Sequence, residues 1–122
     1  MLYDLRVPKI SPYMSGALIE CIYARSDTQM RAGDKILDLS VDLGSAFSQD
    51  CPPISYYRVV LRENLWIRRL VVTAGTNWDM EKPLAIFSTA PDEPLEGSVT
   101  RQIRCAVAGI VYHTDMWSGN AH

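Results

Sequence analysis

The chain has 122 residues, 48% of them hydrophobic, with 12 basic and 14 acidic side chains and a formal net charge of −2. That is the size of one ordinary domain with enough apolar content for its own core. The balance excludes disordered, collagen-like and strongly basic nucleic-acid-binding classes. No apolar run approaches the roughly 20 residues of a membrane span. Three cysteines cannot all pair within one chain, which points to a reducing compartment. Met1-Leu2-Tyr3-Asp4 reaches charge at once, unlike a secretory leader. The expectation is a cytoplasmic domain that contacts neither nucleic acid nor membrane.

Short Val-, Ile-, Leu- and Tyr-rich runs separated by Gly, Pro, Ser, Asp and Asn predict an all-β domain. Seven strands are expected. Leu2 to Val7 is ended by Pro8, and Ala17 to Ala24 starts after Gly16. Lys35 to Val41 follows the Gly33-Asp34 turn pair. In that run Leu37, Leu39 and Val41 alternate with Asp38, Ser40 and Asp42, so a solvated outer face is read for Asp34, Asp38 and Asp42. Tyr56 to Arg62 follows Pro52-Pro53, and Leu65 to Thr73 ends before Ala74-Gly75. Leu84 to Ser88 follows Pro83, and Val99 to His113 is one long run in which Gly109 is the expected break. The second and fifth runs are apolar on both faces and read as central strands.

Two stretches repeat without a gap, 48 positions apart. Leu18 matches Trp66, Ile22 matches Leu70, Thr28 matches Thr76, Met30 matches Trp78 and Ile36 matches Leu84. Each copy reads as strand, polar turn, apolar plug, second turn and strand. Two such copies can close their open apolar faces on each other. The expected product is a flattened β-barrel or sandwich of two quasi-symmetric halves.

The stretch Val7-Pro8-Lys9-Ile10-Ser11-Pro12-Tyr13-Met14-Ser15-Gly16, then Leu18-Ile19-Glu20, then Arg31-Ala32-Gly33-Asp34-Lys35 resembles the biotinyl/lipoyl carrier domains. Met14, Gly16 and the Gly33-Asp34 pair match that family's signals, and Ser26 stands where its turn glycine is usual. The second half, from Val72 through Trp78 to Ile86, looks similar. The resemblance covers about residues 3 to 88. It implies a barrel-sandwich hybrid and a lysine at the tip of a tight hairpin, acylated by lipoate or biotin, that shuttles intermediates. Here Val41-Asp42-Leu43-Gly44 puts Leu43 where that lysine belongs, and no lysine occurs between Ile36 and Glu81. Leucine has no acylable group, so neither lipoylation nor biotinylation is expected, and no cofactor is assigned. The tip is enlarged as well, running from Gly44 to Ser55 and including Phe47 and Cys51.

Other candidates are few. Cys51 lacks a nearby base to favour its thiolate, and Cys21 and Cys105 read as small core residues. His113 and His122 show no metal-ligand spacing, and no nucleophile–base or phosphate-loop motif is present. Arg58, Arg62, Arg68 and Arg69 form the densest basic group, a candidate patch for an acidic partner or phosphate. Nine of the basic residues are arginines, a residue favoured at protein interfaces, and Trp66 adds to that.

Residues 89 to 122 exceed the carrier unit. Thr89 to Gly97 is an acidic, proline-containing connector. The alternating run after it must pack on the same domain (1–88) or on a neighbouring subunit. The expected function is a non-enzymatic, unmodified biotinyl/lipoyl-like interaction or assembly module with a protein partner or a second copy. Phe47, Cys51, Arg62, Trp66 and Arg68 are its candidate contact residues. A carrier component of an acyltransferase or carboxylase complex is the alternative, and a small-molecule-binding protein is the second alternative.

Overall fold

The computed structural model describes residues 1–10, 14–42 and 54–110 of the chain. Among these there is no helix. The strands are β1 (Leu2–Leu5), β2 (Gly16–Ile22), β3 (Thr28–Met30), β4 (Lys35–Asp42), β5 (Ile54–Leu61), β6 (Leu65–Leu70), β7 (Asn77–Asp79), β8 (Ala85–Ser88), β9 (Val99–Gln102) and β10 (Cys105–Ile110). They form two five-stranded sheets, β3-β6-β8-β1-β9 and β10-β5-β4-β2-β7. The result is an open flattened sandwich rather than a closed barrel. Ile19, Leu37, Leu39 and Val59 from one sheet meet Ile67 and Phe87 from the other in a single core, all fully buried.

The repeat is physical. β2, β3 and β4 recur as β6, β7 and β8 at the 48-residue offset, and each half lends its short strand to the other. β3 pairs with β6 and β7 pairs with β2. The turn chemistry repeats too. Thr28 Oγ1 donates to the Arg25 carbonyl at 2.6 Å, and Thr76 Oγ1 donates to the Thr73 carbonyl at 2.6 Å. Asp27 N–H donates to the Ile67 carbonyl at 2.7 Å, and Gly75 N–H donates to the Ile19 carbonyl at 2.7 Å. Both sit in the left-handed region, Asp27 at φ 62° and Gly75 at φ 88°. The turn position that favours glycine is therefore Asp27, not Ser26. Aspartate tolerates that conformation better than most side chains, and Ser26 Oγ instead accepts the Leu70 N–H at 3.2 Å.

The apolar plugs Met30 and Trp78 pack on the core from strands of three residues, too short to show a period. Several other expectations need correction. β2 and β6 are not central: each lies next to an edge, with one face outward. Both bulge at equivalent places, between Ile19 and Cys21 and between Ile67 and Arg69. The bulge turns Cys21 outward, so this thiol is exposed and not a core residue. Cys105 is half-buried against the core, and burial pushes its thiol pKa up.

The tail divides at Ile103-Arg104 rather than at Gly109. β9 runs parallel to β1, and β10 runs antiparallel to β5 in the opposite sheet. Ile103 is buried at the crossing. The connector lies against the outer face of the first sheet, where Arg68 donates to the Glu93 carbonyl at 2.6 Å and the Ser88 hydroxyl to that of Ala90.

Candidate functional site

β4 and β5 are an antiparallel pair whose last described rungs are Val41–Ser55 and Asp42–Ile54. They bracket the segment in which the resemblance to carrier domains would look for a lysine. Leu43, Phe47 and Cys51 all lie outside the described residues. Beside this end of β4 and β5, β2 and β7 make a cleft of about 660 Å³ lined by Met14, Gly16, Ser40, Asp42, Trp78 and Asp79, among others. Its described lining holds no His, Cys, Lys or Arg.

Gly16 shapes that cleft. A Cβ on Gly16 would lie 2.3 Å from the Trp78 carbonyl oxygen, so only glycine lets β2 and β7 approach this closely. The Trp78 indole N–H is held by the Lys82 carbonyl at 3.0 Å.

The outer face of the second sheet is not a plain solvated surface. Asp34 and Asp42 are exposed as expected, but Asp38 is 0% exposed. Arg58, directly across on β5, closes over it with Nε–Oδ1 at 2.8 Å and Nη2–Oδ2 at 3.1 Å. The Tyr23 hydroxyl donates to Asp38 Oδ2 at 2.6 Å, and Arg58 Nη2 donates to the Tyr23 oxygen at 3.2 Å. Lys35 Nζ lies 4.7 Å from the Tyr23 ring centre. The hydrogen bond to Asp38 raises the pKa of both the Arg58 guanidinium and the Tyr23 phenol. A carboxylate can be this deeply buried because its counter-charge and donors come with it.

A second charge cluster ties the tail to the β5–β6 turn. Arg101 on β9 grips Glu63 through two bonds of 2.8 and 2.9 Å, and Arg104 N–H adds a third at 2.6 Å. The Arg101 guanidinium also lies 3.9 Å from the Tyr3 ring centre. The Arg101 contact holds the Glu63 carboxyl below its ordinary value of 4.5. Near and below that value the unfolded chain takes up a proton that folded Glu63 refuses. This contribution to stability is complete above the ordinary value and disappears as pH falls through the lower folded value. Glu63→Gln is therefore expected to flatten the fall of the unfolding temperature between about pH 5 and pH 3, measured by thermal unfolding across that range. An unchanged acid slope would contradict it.

The arginine group of the sequence is dispersed. Arg58 is bound to Asp38. Arg68 lies on the other sheet and is mostly buried, bonded to the connector and 3.4 Å from Ser88 Oγ. Trp66 shares β6 with it and is half-buried. Arg62 is exposed in the β5–β6 turn. Sequence reading missed the Tyr23–Asp38–Arg58 and Glu63–Arg101 clusters. A charge in an alternating strand was the only hint of the first, and Arg101, which interrupts the alternation of Val99, Ile103, Cys105 and Val107, the only hint of the second.

No family model matches the chain, and no curated protein matches it in sequence.

Proposed function

We propose that the chain is a biotinyl/lipoyl-like domain without an attached group, a non-enzymatic interaction and assembly module that self-associates through β10. The observation that carries this reading is the character of that strand. β10 ends its sheet, and no described strand pairs with its outer edge. It reads Cys-Ala-Val-Ala-Gly-Ile, six residues without charge or proline, and Val107 on it is 37% exposed. The other edge strands are only three or four residues long, and β9 bears Arg101. Exposed edges are normally blunted by charge, proline or shortness. An unblunted one is a template for another strand. Two β10 strands pairing antiparallel about a two-fold axis would set no like charges against each other.

The absence of an attached group is supported by the chain itself. The residue after Asp42, where β4 ends, is Leu43, and the nearest lysines in sequence are Lys35 and Lys82. Native and denaturing mass spectrometry of one preparation, co-expressed with lipoate and biotin ligases, tests both halves of the reading. A dimer of unmodified chains is expected. A lipoyl or biotinyl adduct would overturn the unmodified assignment. Val107→Lys places a charge on the exposed edge strand and is expected to give monomers with the unfolding temperature nearly unchanged. A wild-type monomer at micromolar concentration removes the β10 association.

A further inference from the structure

Three turns are locked together at one end of the sandwich. In the turn before β4, Ala32 N–H donates to Asn64 Oδ1 at 3.0 Å and Gly33 N–H to the Leu61 carbonyl at 2.7 Å. Leu61 N–H returns a bond to the Asp34 carbonyl at 2.9 Å. On the other side, Arg62 N–H donates to the Arg104 carbonyl at 2.9 Å, in the turn between β9 and β10. Arg31, Arg62 and Arg104 therefore project from one hydrogen-bonded platform. All three are exposed, and none has an ion-pair partner among the described residues.

The platform's own carboxylates are already engaged. Asp34 accepts the Arg31 N–H at 2.9 Å, and Glu63 is held by the Arg101 guanidinium and the Arg104 backbone N–H. With Arg101 included, four cations stand here against two carboxylates, in a chain whose net charge is −2.

We propose that this platform docks a carboxylate-rich segment of a partner protein, an extended run of Asp and Glu. The guanidinium fork matches a carboxylate in two bonds. Phosphate sites usually add a cradle of free backbone N–H groups. Here the N–H groups of Arg31, Ala32, Gly33, Arg62 and Arg104 are all used inside the platform. Recognition is left to side chains spread over three turns, which suits a chain of carboxylates better than one phosphate. This deepens the interaction-module reading by giving the chemistry of its partner. It is measured separately from β10 association, so either can fail while the other stands.

The test is fluorescence anisotropy of a labelled hexaglutamate peptide titrated with the full chain at about 50 mM and about 300 mM salt. Saturable binding that weakens at the higher salt is expected. The triple variant Arg31→Glu, Arg62→Glu, Arg104→Glu should weaken it at least about tenfold, with circular dichroism reporting the fold. The charge-matched variant Lys9→Glu, Arg69→Glu, Lys82→Glu should leave binding within about twofold. Equal loss in both variants would reduce the effect to non-specific attraction and overturn the proposal. So would an absence of saturable binding, or a labelled six-nucleotide DNA that binds more tightly than hexaglutamate.

Discussion

Arg58→Ala is expected to cost about 3 kcal/mol of stability, close to 10 °C in unfolding temperature for a domain of this size. Asp38 is wholly buried, and Arg58 supplies its counter-charge and two of its hydrogen bonds. Truncating the arginine removes the guanidinium that bonds both oxygens of this buried carboxylate while the Tyr23 hydroxyl still faces it, and a buried charge stripped of its counter-charge is among the most costly single defects. The arginine side chain is 31% exposed, so some water replaces it, which holds the cost below the upper range for such pairs. Removing both charges should be milder. Asp38→Leu combined with Arg58→Ala is expected to be less damaging than Arg58→Ala alone, because the stranded charge is gone. Urea unfolding of the two single variants and the double closes the cycle. An Arg58→Ala loss under about 0.5 kcal/mol would show that the pair is an ordinary surface contact.

Gly16→Ala is the second large effect expected, at about 2 kcal/mol. The added Cβ would meet the Trp78 carbonyl at 2.3 Å and its carbon at 3.1 Å. Both are backbone atoms, so no side chain can rotate away and β7 itself must move. β7 is three residues long and pairs only with β2 among the described strands, so displacement is the expected response. Loss should appear in denaturant unfolding together with a change in tryptophan emission as Trp78 is uncovered. Gly97→Ala is the control. Its Cβ would make only an ordinary 3.7 Å contact with Leu2, and a change within about 0.5 kcal/mol is expected. Equal behaviour of the two variants would remove the close-approach argument.

Both effects concern parts of the fold that read differently in one dimension. The alternation along β4 separates Asp38 correctly from Leu37 and Leu39. What covers the outer face depends on the rung that sets Asp38 opposite Arg58, and on Tyr23 at the end of the neighbouring strand. The same limit explains Cys21: a single bulge reverses the direction in which the next side chain points. By contrast, Gly33-Asp34 is a local signal and is realised locally, with Gly33 at φ 99° and Asp34 capping Arg31 N–H.

The amino-acid order alone determined the all-β class, the 48-residue repeat, the principal turns and the absence of lysine between Ile36 and Glu81. These follow from side-chain alternation, turn chemistry and identity, which act over a few residues or are simply counted. Only the tertiary structure decided that the halves exchange β3 and β7, that the tail divides between two sheets, and that Asp38 is buried under Arg58. It also decided which arginines act together: it separated Arg58 and Arg68 and brought Arg62 beside Arg31 and Arg104. Strand pairing places residues distant in sequence on one surface, and Coulomb and hydrogen-bond energies depend on that distance in space rather than on separation along the chain.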